Sequence, residues 1–507
     1  MSPSCRTARS EIAPYLRFAP AKRQRNARLQ RAAIVNMQAC LRDYALVLTL
    51  ALAAAGGGAS AAVLDVGGGR EFARIEDALA RAGEGDTILV HPNADNAPYA
   101  ATALLVRTPR LTIRAAAAEI VLDGAGFDYS GRGNVPRAIV QFDPQACGST
   151  FDGFTLRNAR NASFNGAGVR INQANDVTIT NCMIRGNDMG VMSNGSAADG
   201  TGARQLIVRC VITENGNLDN AGYNHNLYLG GSGVVVRDCD ISRSVAGHNL
   251  KSRAHVTRVE SCRIRDSANR ELDIVDAAGD TDIPGSDAFI IDCEITKAPD
   301  CEGNRGVIHF GRDGAASRDG TLWISNTVIR TPFISPVVAL SSDGGLNIHG
   351  ATIDDAGARQ NGEVVSRRNP ASRVIGCGNS FPEKFRALPE LCQGCSHGAL
   401  SLWRAKSLWN ERASRYNSAT ISFTAARSAR TRSESSPCLA LRANIMPSKY
   451  ASLFAGQRAS GLLPRRRLKA SNCARSLRRR RAPQRARRRA SLGRGRSWRQ
   501  SPQNPTI

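Results

Sequence analysis

The sequence lacks an apolar run long enough to cross a bilayer as a permanent helix, which takes about 20 residues. The candidate run, from Tyr44 to Ala55, follows Met37 and one arginine and leads into small residues that end at Ala61. This pattern is typical of a secretory signal that is cleaved after Ala61. It predicts a signal peptide over residues 37–61, no transmembrane segment, and a secreted or periplasmic protein, provided that Met37 is the true start.

Both ends of the chain are poor in acidic residues and in regularly spaced apolar ones. Residues 396–507 contain 26 Lys and Arg against two acids, and residues 1–36 contain eight against one. The ends therefore account for the formal net charge of +25, and residues 37–395 are mildly acidic. Because neither end has the apolar period of a buried element, both are predicted to be disordered or non-native extensions. The Arg-rich tail would suit polyanions, but it has no interleaved aromatic platform for bases, so no specific nucleic-acid partner is predicted.

Between Phe151 and Ile353 one short pattern returns eight times, at intervals of 23 to 34 residues. Its first and last places are apolar, and its fourth place is Cys in five of the eight copies. The copies are FDGFTL, ITNCMI, IVRCVI, VRDCDI, VESCRI, IIDCEI, ISNTVI and IHGATI. A strand-like repeat of this period, with Gly, Asn and Asp between copies, predicts coils that stack and share one core. The predicted fold is all-β, a right-handed single-stranded parallel β-helix in which each copy is one strand.

The regular coils are predicted over residues 62–355, followed by an irregular C-terminal cap over residues 356–395 and the tail over residues 396–507. Glu71 to Ala82 is predicted to be an amphipathic helix that caps the open N-terminal end of the solenoid. Its apolar face comprises Phe72, Ile75, Ala78, Leu79 and Ala82. The protein is predicted to be a monomer.

The repeat cysteines share one register, so they are predicted to form a row inside the coils, where a thiol acts as a small apolar group. Consecutive coils lie about 4.8 Å apart, but these side chains point the same way, which disfavours disulfides. Cys377 with Cys392 is the better candidate for a bridge. Cys392, Cys395 and His397 supply half a zinc site at most, and no metal site is predicted.

A second strand in each coil can be aligned with its neighbours by its inward apolar residues, and the residue between them points outward. The predicted outward row is Arg170, Met192, Tyr228, Lys251, Asp273 and His309, with His225, His248 and Arg270 at its preceding edge and Asn172, Asn194 and Arg253 at its following edge. Such a concentration of proton-active side chains indicates a functional site. The alternative is a solvated surface row in which opposite charges pair, for example Lys251 with Asp273.

The residue types of this row suit β-elimination better than glycoside hydrolysis. Glycoside hydrolysis normally uses two facing carboxylates, and the row offers chiefly Asp273, with Glu271 and Asp276 nearby. β-Elimination from a uronate needs a base, a cation for the sugar carboxylate and an acid for the leaving oxygen. Lys, Arg, Tyr and His side chains in the row can supply all three.

Residues 63–355 resemble the pectate-lyase-like right-handed β-helix superfamily, in which a helix precedes a GDTI strand, here at Gly85–Ile88. The stretches HNLYL (225–229) and GHNLKSRA (247–254) are similar to bacterial β-helix-repeat proteins. The Lys251-Ser252 pair also resembles alginate and chondroitin lyases that use a Lys base and an Arg from a neighbouring coil, which implies Lys251 as base and Arg270 as its partner.

The same lyases place acidic calcium ligands a few residues before the lysine. This chain has Ser244, Val245 and Ala246 there, so no cofactor is predicted and a calcium-dependent mechanism is disfavoured. Polygalacturonase-type hydrolases are less similar, because their paired-Asp motif is missing.

These observations predict an exported protein that binds an acidic, uronate-containing polysaccharide and acts on it as a lyase or C5-epimerase. Lys251 is the predicted base, with a pKa lowered by Arg253 and by partial burial. The predicted catalytic residues are Lys251, Arg253, Arg270, His248, His225 and Tyr228, and the predicted substrate-binding residues are Asp273, His309, Asn194 and Arg170. The alternative is a non-catalytic carbohydrate-binding or surface-structural β-helix, so the enzyme assignment stays open at this point.

Overall fold

Three long parallel sheets wrap around one core and form a right-handed parallel β-helix, as predicted. The computed structural model describes residues 61–391 except 315, 334, 342, 356–361 and 384, so the predicted signal peptide and the Arg-rich tail lie outside the described residues. Each coil visits sheet I, then sheet III, then sheet II, and each strand pairs in register with the equivalent strands of the coils before and after it.

The strands are numbered along the chain. Sheet I contains β1 (Val63–Val66), β2 (Thr87–Val90), β5 (Thr112–Ala115), β8 (Thr150–Asp152), β11 (Thr178–Thr180), β14 (Gln205–Val208), β17 (Gly233–Arg237), β20 (Val256–Glu260), β23 (Ala288–Ile291), β26 (Thr321–Ser325), β29 (Gly345–His349) and β32 (Val374–Cys377). Sheet II contains β4 (Leu104–Val106), β7 (Ala138–Phe142), β10 (Ala167–Asn172), β13 (Met189–Asn194), β16 (Leu227–Leu229), β19 (Leu250–Ser252), β22 (Leu272–Val275), β25 (Ile308–Gly311), β28 (Val338–Leu340) and β31 (Val365–Arg367). Sheet III contains β3 (Tyr99–Ala100), β6 (Ile120–Asp123), β9 (Phe154–Arg157), β12 (Met183–Arg185), β15 (Val211–Thr213), β18 (Asp240–Ser242), β21 (Arg263–Arg265), β24 (Glu294–Thr296), β27 (Val328–Arg330) and β30 (Thr352–Asp354).

One α-helix, α1 (Ile75–Arg81), packs against β1, β2 and β4 at the N-terminal end of the solenoid. Ile75 and Ala78 are buried, and Phe72, Leu79 and Ala82 pack against the core. The helix begins four residues later than the sequence predicts, because Phe72 forms a bridge with Val66 and is held in extended backbone. Short 3-10 helices occur at Ala94–Asn96, Leu218–Asn220 and Pro389–Leu391. Among the described residues no helix combines the length and the apolar character needed to cross a membrane.

The prediction that each repeat copy is a single strand was wrong, because each copy turns a corner from sheet I to sheet III. The third place of all eight copies has a positive φ: Gly153, Asn181, Arg209, Asp238, Ser261, Asp292, Asn326 and Gly350. Gly, Asn and Asp adopt this left-handed backbone most readily, and they occupy six of these eight corners. In five copies a cysteine follows the bend. These five cysteines are buried and are free thiols, as predicted.

Parallel pairing continues past residue 355, where the regular coils were predicted to end. β31 pairs with β28, and β32 pairs with β29. The sequence pattern misses this last coil because sheet III contributes only an isolated bridge there, from Thr352 to Ser380, so the repeat loses its second half. Cys377 is disulfide-bonded, and its predicted partner Cys392 lies outside the described residues.

A ladder of buried amides runs along the corner between sheets III and II. Asn187 Nδ2 donates to Asn215 Oδ1 (2.9 Å), Asn215 Nδ2 to Asn226 Oδ1 (2.9 Å), and Asn226 Nδ2 to Asn249 Oδ1 (2.8 Å). Asn249 Nδ2 then donates to Glu271 Oε2 (2.6 Å). We call these five residues the amide ladder. All five are fully buried, so each polar atom needs a partner within the protein.

Replacement of Asn226 by Leu should destabilise the protein by at least about 2 kcal/mol, because it removes the acceptor of the buried Asn215 backbone N–H and the bonds from Asn226 to Asn249 and to the Ser242 carbonyl. Urea unfolding followed by circular dichroism measures this change. Asn134→Ala, at an exposed position, serves as the control and should stay within about 0.5 kcal/mol of the wild type. Equal effects of the two substitutions would contradict a structural role for the ladder.

Candidate functional site

The outward residues of sheet II lie in one row with the predicted register. Arg170 pairs with Met192, Met192 with Tyr228, Tyr228 with Lys251, Lys251 with Asp273, and Asp273 with His309. The pairing of Lys251 with Asp273 that the alternative predicts is present at 3.1 Å. Its solvated surface is not, because Asp273 is 1% exposed and His309 is 5% exposed. Tyr228 and Lys251 are half-buried. The row is thus a partly covered site and not an open surface.

Asp273 is the centre of the site. Its Oδ1 accepts from Arg270 (2.9 Å) and from His309 Nδ1 (2.8 Å), while Oδ2 lies 3.1 Å from Lys251 Nζ and 3.3 Å from His248 Nε2. We call these five residues the Asp273 cluster. Burial alone would raise the pKa of Asp273, but the surrounding donors and cations outweigh it and hold this pKa well below its usual value. Asp273 is therefore an anion at neutral pH.

Lys251 is a cation and not a neutral amine. Its Nζ lies 2.8 Å from an oxygen of Asp313 as well as 3.1 Å from Asp273. Burial and Arg253 lower the pKa of Lys251, but the two carboxylates outweigh them and raise it above its ordinary value. The prediction of a lowered pKa was wrong because Asp313 could not be placed from the sequence.

Arg253 connects Tyr228 to the loop that follows β25. Its Nε donates to Tyr228 Oη (3.1 Å) and its terminal nitrogen donates to Asp313 (2.8 Å). Asp313 is held in turn by Asp276, whose Oδ1 accepts from the backbone N–H groups of Asp313 (2.7 Å) and Gly314 (2.9 Å). The loop therefore lies across the row, where one carboxylate reaches both Lys251 and Arg253. The register of strands gives no position for a loop residue, which is why Asp313 was missed.

His225 and His248 form a stacked pair at the edge of sheet II, with ring centroids 5.0 Å apart and planes at 14°. His225 Nδ1 accepts from the backbone N–H of His248 (2.9 Å), and His248 Nδ1 accepts from that of Arg270 (3.1 Å). Both rings then carry their proton on Nε2 when neutral. Burial lowers the pKa of His248 to about 4 and that of His225 well below its ordinary value. Only glycine fits at position 247, because a Cβ there would clash with the Asn224 carbonyl.

Two predicted substrate-binding residues lie apart from the Asp273 cluster. Met192 separates Arg170 from Tyr228 along the row, and Arg170 is 6% exposed. Asn194 Oδ1 accepts from the backbone N–H of Gln173 (3.0 Å), so it serves a turn between coils. The structure brings together the other eight predicted residues but not these two.

Ser341, which the sequence analysis missed, extends the cluster by one residue. His309 Nε2 lies 2.9 Å from Ser341 Oγ, on the opposite side of the ring from Asp273. Ser341 immediately follows β28, where the strand pattern ends, and serines are too common to attract notice by type alone. Its position beside His309 follows only from the folded chain.

The residues before Lys251 do not fit a calcium site. Ser244 and Ala246 are buried, and Val245 is apolar, so this stretch offers no carboxylate to a cation that prefers oxygen ligands. Within the described part of the chain, no three His, Cys, Asp or Glu side chains converge in a way that could hold a metal ion.

Comparison with known proteins identifies similar solved structures but no family. No family model and no curated protein matches the chain. Pectate lyase Pel9A is 12% identical, with a TM-score of 0.39 over 67% of this chain and 83% of that one. The pectin methylesterase PemA from Erwinia chrysanthemi is 12% identical (TM-score 0.28; 64% and 92% covered), and the α-1,3-glucanase from Streptomyces thermodiastaticus is 12% identical (TM-score 0.39; 61% and 66% covered). The three parallel sheets confirm the predicted β-helix fold, and no activity follows from similarity at this level.

The buried histidines should make the protein less stable in mild acid. The pKa of His248 is about 4 in the folded chain and about 6.5 when unfolded, so below pH 6.5 the unfolded state binds more protons. The contribution of His248 to the free energy of unfolding should therefore fall by roughly 3 kcal/mol as the pH drops from about 6.5 to about 4. Glu271, whose pKa is raised to about 7 by burial, contributes with the opposite sign, so the effect of His248 is the difference between the wild type and a variant that lacks it. Urea unfolding at a series of pH values measures this slope.

His248→Gln should flatten that slope, because glutamine does not titrate. His255→Gln is the matched control, since His255 is half-buried and bonds to the Asp280 carbonyl outside the stacked pair. An unchanged slope in His248→Gln would contradict the buried neutral state of His248.

Proposed function

We propose that this protein is exported and acts on an acidic polysaccharide by removing the proton next to a uronate carboxylate, as a lyase or C5-epimerase. The observation that carries the proposal is the hydrogen bond from Arg253 Nε to Tyr228 Oη, next to Lys251 in the same row. A guanidinium at this distance would stabilise negative charge on the phenolic oxygen. Tyr228 is half-buried and so remains within reach of a substrate.

In this proposal the roles differ from those expected from the sequence. Tyr228 takes the C5 proton as a phenolate, after its own proton has passed to solvent, and Lys251 stays protonated throughout. In elimination Tyr228 then gives the proton that it took from C5 to O4. Lys251 and Arg253 hold the uronate carboxylate and neutralise the charge that develops as the C5–H bond breaks. In elimination the electron pair forms the C4–C5 double bond, the C4–O4 bond breaks, and O4 receives a proton. In epimerisation C5 is reprotonated from the opposite face.

The loop after β25 defines how an anion would enter. Asp313 forms ion pairs with both Lys251 and Arg253, and its side chain is 17% exposed. A uronate carboxylate has the same chemical character, so it would replace Asp313 on these two cations. Asp273, at 1% exposure and held by a strand, would stay in place.

Tyr223 supports binding of a sugar chain beside this row. It is 60% exposed and lies two residues before His225. An aromatic ring that is so exposed presents an apolar face with a polar tip, which suits a sugar ring that has both characters. This observation also favours the second candidate, a non-catalytic carbohydrate-binding solenoid.

The experiment that separates the two candidates is incubation of the full chain with alginate, pectate and glycosaminoglycans. Ultraviolet absorbance reports the unsaturated product, and deuterium incorporation at C5 reports epimerisation. Binding without product or exchange would overturn the enzyme proposal and leave the binding module. Neither binding nor product with any of these polymers would overturn both.

Tyr228→Phe should lower kcat by at least about 100-fold while leaving the thermal unfolding temperature nearly unchanged, because it removes only the oxygen that carries the proton. Tyr223→Ala should instead raise KM by roughly 3- to 10-fold, as expected for the loss of one stacking contact, with kcat preserved. Initial rates on the active polymer measure both. A Tyr228→Phe enzyme with wild-type kcat would exclude Tyr228 as the proton acceptor.

A further inference from the structure

The strongest feature that the proposed function leaves unused is the chain of hydrogen bonds from Asp273 through His309 to Ser341. Asp273 Oδ1 lies 2.8 Å from His309 Nδ1, and His309 Nε2 lies 2.9 Å from Ser341 Oγ. An ionised carboxylate can only accept, so the Nδ1 of His309 donates, and in the neutral ring Nε2 is then the acceptor. The Ser341 hydroxyl therefore donates to His309, which is the arrangement that a histidine base needs to activate a serine.

Strand pairing fixes the geometry of these three residues. Asp273 in β22 and His309 in β25 are direct register partners. The backbone N–H of Ser341 donates to the Phe310 carbonyl (2.9 Å), which places the serine beside the residue after His309. Asp273 and His309 are thus held on paired strands, and Ser341, the first residue after β28, is held by its backbone bond to the strand that carries His309.

Solvent exposure increases from Asp273 through His309 to Ser341, which is the order that nucleophilic catalysis needs. Asp273 is 1% exposed and His309 5%, whereas Ser341 is half-buried. The anion is thus shielded from water, where its interaction with the histidine is strongest. The oxygen that would attack is the part that a ligand can reach.

We infer that Ser341, His309 and Asp273 form a second active centre, which hydrolyses carboxylic esters. Ser341 Oγ attacks the ester carbonyl and forms a new C–O bond, while its proton passes to His309 Nε2. The ester C–O bond then breaks, and His309 gives that proton to the departing alcohol. Water next attacks the acyl-serine through the same base, which releases the carboxylic acid and restores Ser341.

A covalent probe tests this centre without knowledge of its natural ester. The full chain is incubated with a serine-directed fluorophosphonate, and the adduct is located by intact mass and peptide mapping. We expect one adduct on Ser341, together with hydrolysis of p-nitrophenyl acetate. Ser341→Ala should abolish both, and His309→Gln should slow labelling by at least about 100-fold.

Ser366→Ala is the matched control, because Ser366 is half-buried and lies two strands beyond His309 in the same outward row. It should label and hydrolyse as the wild type does. No adduct on Ser341, or equal labelling of Ser341→Ala, would overturn the inference and reduce the Ser341 hydroxyl to a structural hydrogen bond. The thermal unfolding temperature of each variant shows whether a loss of labelling reflects misfolding.

The two proposals fail separately. Tyr228→Phe should leave fluorophosphonate labelling intact, and Ser341→Ala should leave elimination or epimerisation intact. An adduct on Ser341 without any action on uronate polymers would support the ester-hydrolysing centre and overturn the proposed function. Action on these polymers without an adduct would support the proposed function and overturn the ester-hydrolysing centre.

Discussion

The site depends on the amide ladder that is buried beneath the edge of sheet II. The amides of the ladder are joined in series: Asn187 donates to Asn215 in the next coil, Asn215 donates to Asn226 in the same coil, and Asn226 donates to Asn249 in the coil after that. Asn249 then donates to Glu271 Oε2, and Glu271 Oε1 lies 3.4 Å from Lys297 Nζ. Backbone groups fix the direction in which these amides point, because the Oδ1 atoms of Asn215, Asn226 and Asn249 also accept from the backbone N–H groups of Asn187, Asn215 and Ser244. A buried amide turned the wrong way would leave a donor facing a donor, at a cost of about 1–3 kcal/mol for each unsatisfied group. The ladder therefore sets the spacing and the orientation of successive coils at this corner.

Residues of the site take their positions from this ladder. His225 directly precedes Asn226, His248 precedes Asn249, and Arg270 precedes Glu271. Each ladder residue points inward, so its predecessor lies at the outer edge of sheet II, one coil from the next. The stacked histidines and the contact from Arg270 to Asp273 follow from that spacing. Polar groups inside the coil thus position the polar groups outside it.

Strand register could be predicted from the sequence because the coils are parallel and in register. Residues at equivalent places in successive repeats are therefore neighbours in the structure. The apolar residues that flank Tyr228, Lys251 and Asp273 were sufficient to align these three, and the structure pairs them as aligned. Asp313 and Ser341 were beyond that reasoning, because they follow the ends of their strands. The state of Lys251 was then predicted with the wrong sign, since the sign depends on a carboxylate that only the folded loop supplies. Alignment of strands gives neighbours, but it gives neither burial nor the charges that loops add.

Asp273 and Asp313 differ in how firmly they are held and in whether a ligand carboxylate could replace them. Asp273 is held by a strand, its Oδ1 accepts from Arg270 and His309, and its Oδ2 lies within 3.3 Å of Lys251 and His248. Its replacement by a ligand would therefore remove the shared partner of these buried groups. Asp313 is held through the backbone of a loop by Asp276, and its side chain faces solvent in part. A ligand carboxylate can therefore compete for Lys251 and Arg253 without disturbing the bond between Asp273 and His309. For this reason Asp273 can interact with both Lys251 and His309. Asp313, in contrast, affects only the access of a ligand to Lys251 and Arg253.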